Sequence, residues 1–423
     1  MRRLGIVAVW LGLVVGAAAV FPAPSIASGH ITEIIDSTGD GAGNTLSGAV
    51  GIAVDGNRNV YVAGGGSDNA FKITSGGVIT EIIDSTGDGA GNAFDYPWSI
   101  AVDGNGNVYV PGFSSANAFK ITPGGVITEI IDSTGDKAGN TLSGPISIAV
   151  DGNGNLYVTG TYSANAFKIT PGGTITEIID STGDKAGNTL SGAFGIAIDG
   201  NGNVYVTGES SDNAFKITPG GAITKIIDST GDKAGNTLDA PRGIAVDGNG
   251  NVYLAGFLSA NAFKITPGGT ITEIIDSTGD KAGNTLNNSY RIGVQGNANV
   301  YVTGCASNNA FKITPGGTIT KIIDSTGDGA GNALYNPIGI AVDGNGNVYV
   351  AGASSHNAFK IAAPPAVGGI AELPDVAGGR LDSDGRSSGG MGGTTYAVLA
   401  GAAAGVLAFA VLAGLSVRRW RVR

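Results

Sequence analysis

Cysteine and histidine are scarce in this 423-residue sequence. The single cysteine, Cys305, has no second cysteine with which to form a disulfide within the chain. The two histidines, His30 and His356, lie far apart in the sequence, so no histidine cluster of the kind that binds zinc is predicted. We therefore expect no resident cofactor, with calcium as the one alternative considered below.

Charged residues are also few, at 14% of the chain, and acidic residues outnumber basic ones by 34 to 24. The formal net charge is −10. Proteins that bind nucleic acid carry a basic stripe or patch that neutralises phosphates, and no part of the repeated sequence provides one. The composition thus argues against a nucleic-acid partner and favours a solvent-exposed protein.

Glycine is abundant, with 74 residues, and it recurs with a strict period. The block Ile-Thr-(Glu/Lys)-Ile-Ile-Asp returns every 48 residues, beginning at Ile31, Ile79, Ile127, Ile175, Ile223, Ile271 and Ile319. A fixed period of this length is typical of stacked repeats, in which neighbouring units bury a shared core. The sequence predicts seven such units over residues 31–366.

Each unit contains four short runs that alternate apolar and polar residues, as β-strands do. In the first unit these runs are Gly51–Asp55, Val60–Ala63, Asn69–Thr74 and Ile79–Asp84, which we call strands a, b, c and d. Glycine and asparagine between them favour tight turns. The pattern predicts a four-stranded antiparallel sheet per unit, which is the blade of a β-propeller.

The phase of the repeat predicts how the array closes. It opens with a d strand at Ile31–Asp36 and ends with a c strand at Asn357–Ile361, so the seventh unit lacks its own outer strand. Pairing of the N-terminal strand with the last c strand would complete the seventh blade and leave no free sheet edge within the ring. We predict an all-β, seven-bladed propeller closed in this way.

The segment Gly339 to Val350, Gly-Ile-Ala-Val-Asp-Gly-Asn-Gly-Asn-Val-Tyr-Val, resembles the NHL repeat and related repeats of seven-bladed bacterial propellers. The resemblance implies the propeller fold. Such families include binding and scaffold domains as well as lyases and lactonases, and a shared fold does not transfer the chemistry.

The two ends of the chain predict export and membrane attachment. Residues 1–27 have the basic start, apolar run and small-residue cleavage site of a signal peptide. Residues 367–395 are rich in glycine, serine and aspartate, as a flexible stalk is. Residues 396–417 carry no charge and predict a transmembrane helix, and the arginine-rich residues 418–423 predict a basic cytoplasmic tail. We expect a single-pass protein of the cell membrane with its repeats outside the cell.

Acidic loops recur in the units and admit two interpretations. Asp103-Gly-Asn-Gly-Asn107 spaces oxygen side chains as the start of a calcium loop does, and Asp84-Ser-Thr-Gly-Asp88 places two carboxylates in each loop after strand d. The glycine and distal glutamate of an EF-hand loop are missing, however. Such side chains also brace turns by bonding their own backbone, which is the interpretation we favour. We further expect Lys72 on strand c to pair with Glu81 on strand d.

Variation among the seven units is confined to the approach to strand a and the loop from b to c. Because strands alternate in direction, both connections emerge on the same face of the disc. Exposed aromatic residues with arginine are typical anchors of a binding surface. The predicted ligand-binding residues are Tyr96, Trp98, Phe113, Tyr162, Arg242, Phe257, Tyr290, Arg291, Tyr335 and His356. For Trp98, a role in filling the gap between blades is the alternative.

Three functions agree with these features. We expect an extracellular binding or scaffold module for a protein or a glycan rather than an enzyme. One alternative is a lyase or hydrolase of the streptogramin-lyase type, for which His356 is the one candidate base on the variable face. The other is a structural component of a surface layer.

Overall fold

A computed structural model describes residues 30–364 except residues 297–298. The predicted signal peptide, stalk, transmembrane helix and basic tail all lie outside the described residues. Among the residues that are described, none belongs to a helix long and apolar enough to cross a membrane.

The described part of the chain forms 28 strands in seven four-stranded sheets. The first strand, β1 (Ile31–Ile35), precedes blade 1, which contains β2 (Ala49–Val54), β3 (Val60–Gly64), β4 (Asn69–Ile73) and β5 (Ile79–Ile83). Blade 2 contains β6 (Ala101–Val102), β7 (Val108–Gly112), β8 (Asn117–Ile121) and β9 (Ile127–Ile131). Blade 3 contains β10 (Pro145–Val150), β11 (Leu156–Gly160), β12 (Asn165–Ile169) and β13 (Ile175–Ile179).

The remaining blades repeat this order. Blade 4 contains β14 (Ala193–Ile198), β15 (Val204–Gly208), β16 (Asn213–Ile217) and β17 (Ile223–Ile227). Blade 5 contains β18 (Pro241–Val246), β19 (Val252–Gly256), β20 (Asn261–Ile265) and β21 (Ile271–Ile275). Blade 6 contains β22 (Ser289–Gln295), β23 (Asn299–Gly304), β24 (Asn309–Ile313) and β25 (Ile319–Ile323). Blade 7 contains β26 (Pro337–Val342), β27 (Val348–Gly352) and β28 (Asn357–Ile361).

The ring closes through the first strand, as predicted. Strand β1 pairs antiparallel with β28, so the seventh sheet has the order β1-β28-β27-β26. Ile31 lies opposite Ile361, and Glu33 accepts a hydrogen bond of 2.7 Å from the Asn357 side chain. Asn69 makes the same bond to Glu81 within blade 1, at 2.8 Å. The N-terminal strand thus takes the place of an ordinary outer strand.

Each a strand lies innermost in its blade, against the a strands of the neighbouring blades. The approach is close at Gly51, where an added Cβ would lie 2.9 Å from the backbone of Ser99. A side chain there would require the two strands to separate. Small residues at this position therefore allow the inner strands to pack around a narrow axial channel.

The hydrophobic core lies between blades rather than within one. Phe119 of β8 is fully buried and packs in a cluster with Tyr61 and Ala63 of blade 1. The Tyr61 hydroxyl donates a hydrogen bond of 3.0 Å to Asp55, which satisfies its one polar atom. The six residues equivalent to Phe119 are also fully buried, namely Phe71, Phe167, Phe215, Phe263, Phe311 and Phe359. Each blade is therefore stabilised mainly by its neighbours.

The recurring acidic residues bond to their own loops. Asp88 accepts hydrogen bonds from the backbone N–H of Ala90 at 2.9 Å and the side chain of Asn92 at 2.8 Å. The bond from Asn92 holds the pKa of Asp88 below its ordinary value. Asp103 accepts bonds from the backbone N–H groups of Asn105 and Asn107, both at 2.9 Å. Within residues 30–364, apart from 297–298, no three potential metal-ligating side chains of His, Cys, Asp or Glu come together.

The predicted pairing of Lys72 with Glu81 is wrong. Glu81 lies opposite Phe71, and Lys72 lies opposite Thr80, so the two charged side chains project from opposite faces of the sheet. Glu81 instead accepts the bond from Asn69, and the Lys72 Nζ atom lies 5.9 Å from the centroid of the Tyr61 ring.

Candidate functional site

One residue from each blade points toward the axis at the start of strand a, and together these seven form a layer that we call the floor ring. Its members are Val50, Trp98, Ile146, Phe194, Arg242, Tyr290 and Ile338. All but Trp98 and Arg242 are buried, and Trp98 packs against the buried members. The floor ring closes one end of the axial channel with side chains.

The first residue of each loop from b to c forms a second layer, which we call the wall ring. Its members are Gly65, Phe113, Thr161, Glu209, Phe257, Cys305 and Ala353. Residues of both rings, without Val50, Gly65 and Ala353, line a cavity of about 510 Å³ on this face of the disc. We call this cavity the cup. Its volume lies in the range that small-molecule and peptide side-chain sites occupy.

Tyr290 lies at the centre of the floor and is 4% exposed. The Trp98 ring lies parallel to it, with centroids 6.3 Å apart, while Phe194 and Phe257 meet it edge-on at 5.9 and 5.7 Å. Burial raises the pKa of Tyr290 to about 12, so its hydroxyl stays protonated at neutral pH. These edge-on and stacked contacts hold the floor in one arrangement.

An ion pair lies in the cup among these rings. The Arg242 guanidinium contacts the Glu209 carboxylate through Nη2 at 2.6 Å and Nε at 2.7 Å. Its Cζ atom lies 3.5 Å from the centroid of the Phe257 ring, which is a cation–π contact. Both charged side chains are about one-fifth exposed. The pair therefore offers hydrogen-bonding groups in fixed positions beside aromatic faces.

A chain of aromatic rings leads from solvent to the axis. Tyr162 is 72% exposed and its ring centroid lies 5.2 Å from that of Phe113. Phe113 lies 6.2 Å from Tyr96, which is 41% exposed and lies 5.6 Å from Trp98. Trp98 in turn stacks on Tyr290. This continuous aromatic surface is exposed at the rim and buried at its inner end.

The structure brings seven of the ten predicted residues together around the cup: Tyr96, Trp98, Phe113, Tyr162, Arg242, Phe257 and Tyr290. Tyr335 is 47% exposed but lies outside the cavity lining, and Arg291 lies beneath the floor ring. Cys305 is not among the predicted ligand-binding residues, yet it lines the cup and is buried. Its position in the repeat is equivalent to those of Phe113 and Phe257, and this equivalence could have predicted its place in the cup.

His356 has a structural contact instead of a place in the cup. Its Nδ1 atom accepts a hydrogen bond of 2.9 Å from the backbone N–H of Gly48 in the next blade. Asp68 at the equivalent position accepts the same bond from Tyr96 at 2.9 Å. His356 therefore braces blade 7 against blade 1, and the cup contains no histidine among its lining residues.

A larger groove of about 850 Å³ lies between blades 2 and 3 on the opposite face. Its lining includes Asp103, Asn105 and Asp151 of the turns between strands a and b. These turn residues recur at equivalent positions in most other units, where they brace the backbone. The cup differs because its residues vary from blade to blade, so we take the cup as the candidate site.

A family model described as a beta-propeller repeat matches residues 186–216, 230–256 and 329–360. Together with the seven-bladed fold, these matches support a bacterial β-propeller repeat family. The resemblance predicted from the sequence is confirmed.

Solved structures of similar fold include virginiamycin B lyase from Staphylococcus aureus, at 19% identity over 78% of this chain and 98% of that chain, with a TM-score of 0.61. A streptogramin B lyase matches at 20% identity over 78% and 96% of the two chains, with a TM-score of 0.61. YCF48 bound to a D1 peptide matches at 11% identity over 81% and 99%, with a TM-score of 0.55. At these identities the likeness shows the fold alone. Among curated protein sequences, none matches this chain.

Proposed function

We propose that this propeller is a binding module that takes a protein or glycan ligand into the cup. The observation that carries the proposal is the convergence of partly exposed aromatic rings from several blades, beside a fixed ion pair, in a concavity of about 510 Å³. Aromatic residues and arginine dominate the energetics of binding surfaces. A concave site lined by apolar groups, with a few convergent polar atoms, is the usual form of a ligand site.

Burial separates the residues that hold the floor from those that would touch a ligand. Tyr290 and Phe194 are 4% and 3% exposed, so their packing role accounts for them. The rings of Tyr162 and Tyr96 are exposed at the rim, and filling the core does not explain them. We therefore assign ligand contact chiefly to Tyr162, Tyr96 and Phe113, with hydrogen bonds from Arg242.

The double variant Phe113→Thr/Tyr162→Ser tests the assignment. Threonine and serine occupy the equivalent positions in blade 3 and blade 2, at Thr161 and Ser114, so the repeat tolerates both. We expect the intact chain to bind members of an oligosaccharide array or a peptide array. Loss of anchors worth about 2 kcal/mol should weaken that binding about 30-fold.

Val126→Thr is the matched control, because Val126 is 61% exposed in the turn between strands c and d, on the opposite face of the disc. Threonine stands at the equivalent position in three other units, at Thr174, Thr270 and Thr318. Array binding that survives the double variant, or that falls equally in the control, would contradict a site in the cup. A purely structural surface-layer role would show no cup-dependent array binding.

The lyase alternative has less support from the described residues. His356, the predicted candidate base, is engaged with Gly48 outside the cup, and the one carboxylate that lines the cup, Glu209, is paired with Arg242. The fold shared with streptogramin lyases does not supply that group.

We propose that the repeats are displayed outside the cell on the predicted C-terminal anchor, on the basis of the sequence at the two ends. Protease treatment of intact cells should release a propeller-sized fragment, because cleavage would fall in the glycine- and serine-rich residues 367–395. A fragment that appears only after the cells are broken open would place the repeats inside and contradict the topology. A cytoplasmic marker protein that stays intact is the control for cell lysis.

A further inference from the structure

The residue after each floor-ring position is small in six of the seven blades. These six are Gly51, Ser99, Ser147, Gly195, Gly243 and Gly339, whereas blade 6 has Arg291. Arg291 is therefore the one cation in this layer of seven. Its side chain enters the channel that the small residues leave beneath the floor ring.

The contacts of Arg291 leave part of its guanidinium unpaired. Its Nη1 atom donates a hydrogen bond of 2.9 Å to the Ser147 hydroxyl across the channel, and its Cζ atom lies 5.7 Å from the centroid of the Phe194 ring. The Nη2 atom is buried and has no hydrogen-bond partner among the described residues. Nor does any described carboxylate lie within 4.0 Å of the group.

A guanidinium remains charged at neutral pH, and an isolated buried charge costs several kcal/mol unless it is paired. Burial of the Arg291 guanidinium, with the positive charge of Arg242 nearby, lowers the pKa of Arg291 from its ordinary value. The carboxylate of Glu209 is already paired with Arg242, so it does not neutralise Arg291. A negative charge beside Nη2 would therefore offset the cost of burying this unpaired guanidinium.

A cavity of about 140 Å³ adjoins Arg291 within the channel. Its lining includes Gly51, Gly339, Ser99 and Ile52. A water molecule takes about 30 Å³ in the liquid, so this space suits a small ion with a few waters and is too small for a sugar or a peptide. Because Arg291 is the single cation that lines this space, its one positive charge favours a monovalent anion over phosphate or sulfate.

We propose that Arg291 binds a small monovalent anion, such as chloride, in the axial channel beneath the floor ring. The anion accepts a hydrogen bond from Nη2 and neutralises the guanidinium. It thereby links blade 6 to the inner strands that surround the channel. This site is separate from the cup and does not depend on the proposed ligand-binding function.

The test compares the melting temperature of the full chain in sodium chloride and in sodium gluconate at equal ionic strength, since gluconate is a much larger anion than chloride. We expect chloride to raise Tm by about 2–4 °C, because a ligand that binds only the folded state stabilises it. The Arg291→Gly variant, which has the residue of four other blades at this position, should show no difference between the two salts.

Arg58→Gly is the matched control. Arg58 lies at an exposed turn in blade 1 with a φ of 64°, and glycine occupies the equivalent position in most other units. The variant removes one positive charge from the surface and should keep the full chloride response. Equal Tm values for the unchanged protein in the two salts, or an unchanged response in Arg291→Gly, would overturn the proposal.

Crystals of the unchanged protein grown in bromide give a second measurement that does not require any variant to fold. We expect an anomalous peak within hydrogen-bond distance of Arg291 Nη2. Ordered water without an anomalous peak at that atom would overturn the proposal. A bromide peak without a chloride-specific change in Tm would show halide bound at soaking concentration only, and would overturn it equally.

Discussion

A chain that starts at residue 37, and so lacks β1, should lose the cooperative unfolding transition of the propeller. Strand β1 supplies the outer strand of blade 7, and Ile35 at its end is 3% exposed in the cluster that joins blade 7 to blade 1. Its removal would expose the edge of β28 and open the ring at that interface. The transition can be followed by circular dichroism in a urea titration.

The size of this effect follows from the side chains that are lost. Three isoleucines leave with the strand, of which Ile35 is buried and Ile31 and Ile34 are half-buried. Truncation of a buried isoleucine typically costs about 2–5 kcal/mol, and the half-buried pair adds smaller losses. Their sum is comparable to the roughly 5–15 kcal/mol by which whole domains are stable. A chain that starts at residue 30 retains β1 and is the control. An unchanged urea midpoint in the shorter chain would mean that closure contributes little to stability.

The Phe119→Ala variant should lose about 3–5 kcal/mol in the free energy of unfolding. Phe119 is fully buried at the interface of blades 1 and 2, and its ring meets Phe94 edge-on at 5.7 Å. Alanine would leave a cavity between two sheets whose backbones are held by their own hydrogen bonds. Because the two sheets cannot move far into that cavity, new packing contacts would not replace most of those made by the Phe119 ring.

Urea denaturation of the full chain measures this loss, and Val126→Thr in the same blade is the control, since its side chain is 61% exposed. We expect the control to stay within about 0.5 kcal/mol of the unchanged protein. A loss below about 1 kcal/mol for Phe119→Ala would show that the interface can repack and would contradict a rigid core between blades.

The strands were predictable because their apolar and polar side chains alternate. The same alternation also recurs in each of the seven units. Predicted and observed bounds differ by one or two residues in blade 1, where β2 begins at Ala49 rather than Gly51. Blade 2 is the exception, since its inner strand shortens to Ala101–Val102 and Pro97 forms only an isolated bridge with Gly112. Pro111 in the adjacent strand has no backbone N–H to donate. Its presence could have predicted the shorter inner strand of blade 2.

The face that carries the candidate site was predictable from strand direction alone, but the depth of each residue was not. Tyr290 and Tyr162 are both aromatic residues beside variable loops, yet one is 4% and the other 72% exposed. Repeat alignment gives the position along a blade and leaves open how far a side chain reaches toward the axis. For the same reason the sequence grouped Arg291 and His356 with the cup, although one lies below it and the other bonds to Gly48.

The identical outer strands affect how the chain must fold. Five of the seven, including β1, have the sequence Ile-Thr-Glu-Ile-Ile, so side chains cannot distinguish the correct partner for β28 from an incorrect one. Hairpins with short turns form within microseconds, and they occupy the other outer strands early. The bond between Glu33 and Asn357 spans 324 residues and must form late. Correct assembly therefore depends on the order of events, in which β1 is the partner still free when β28 becomes available.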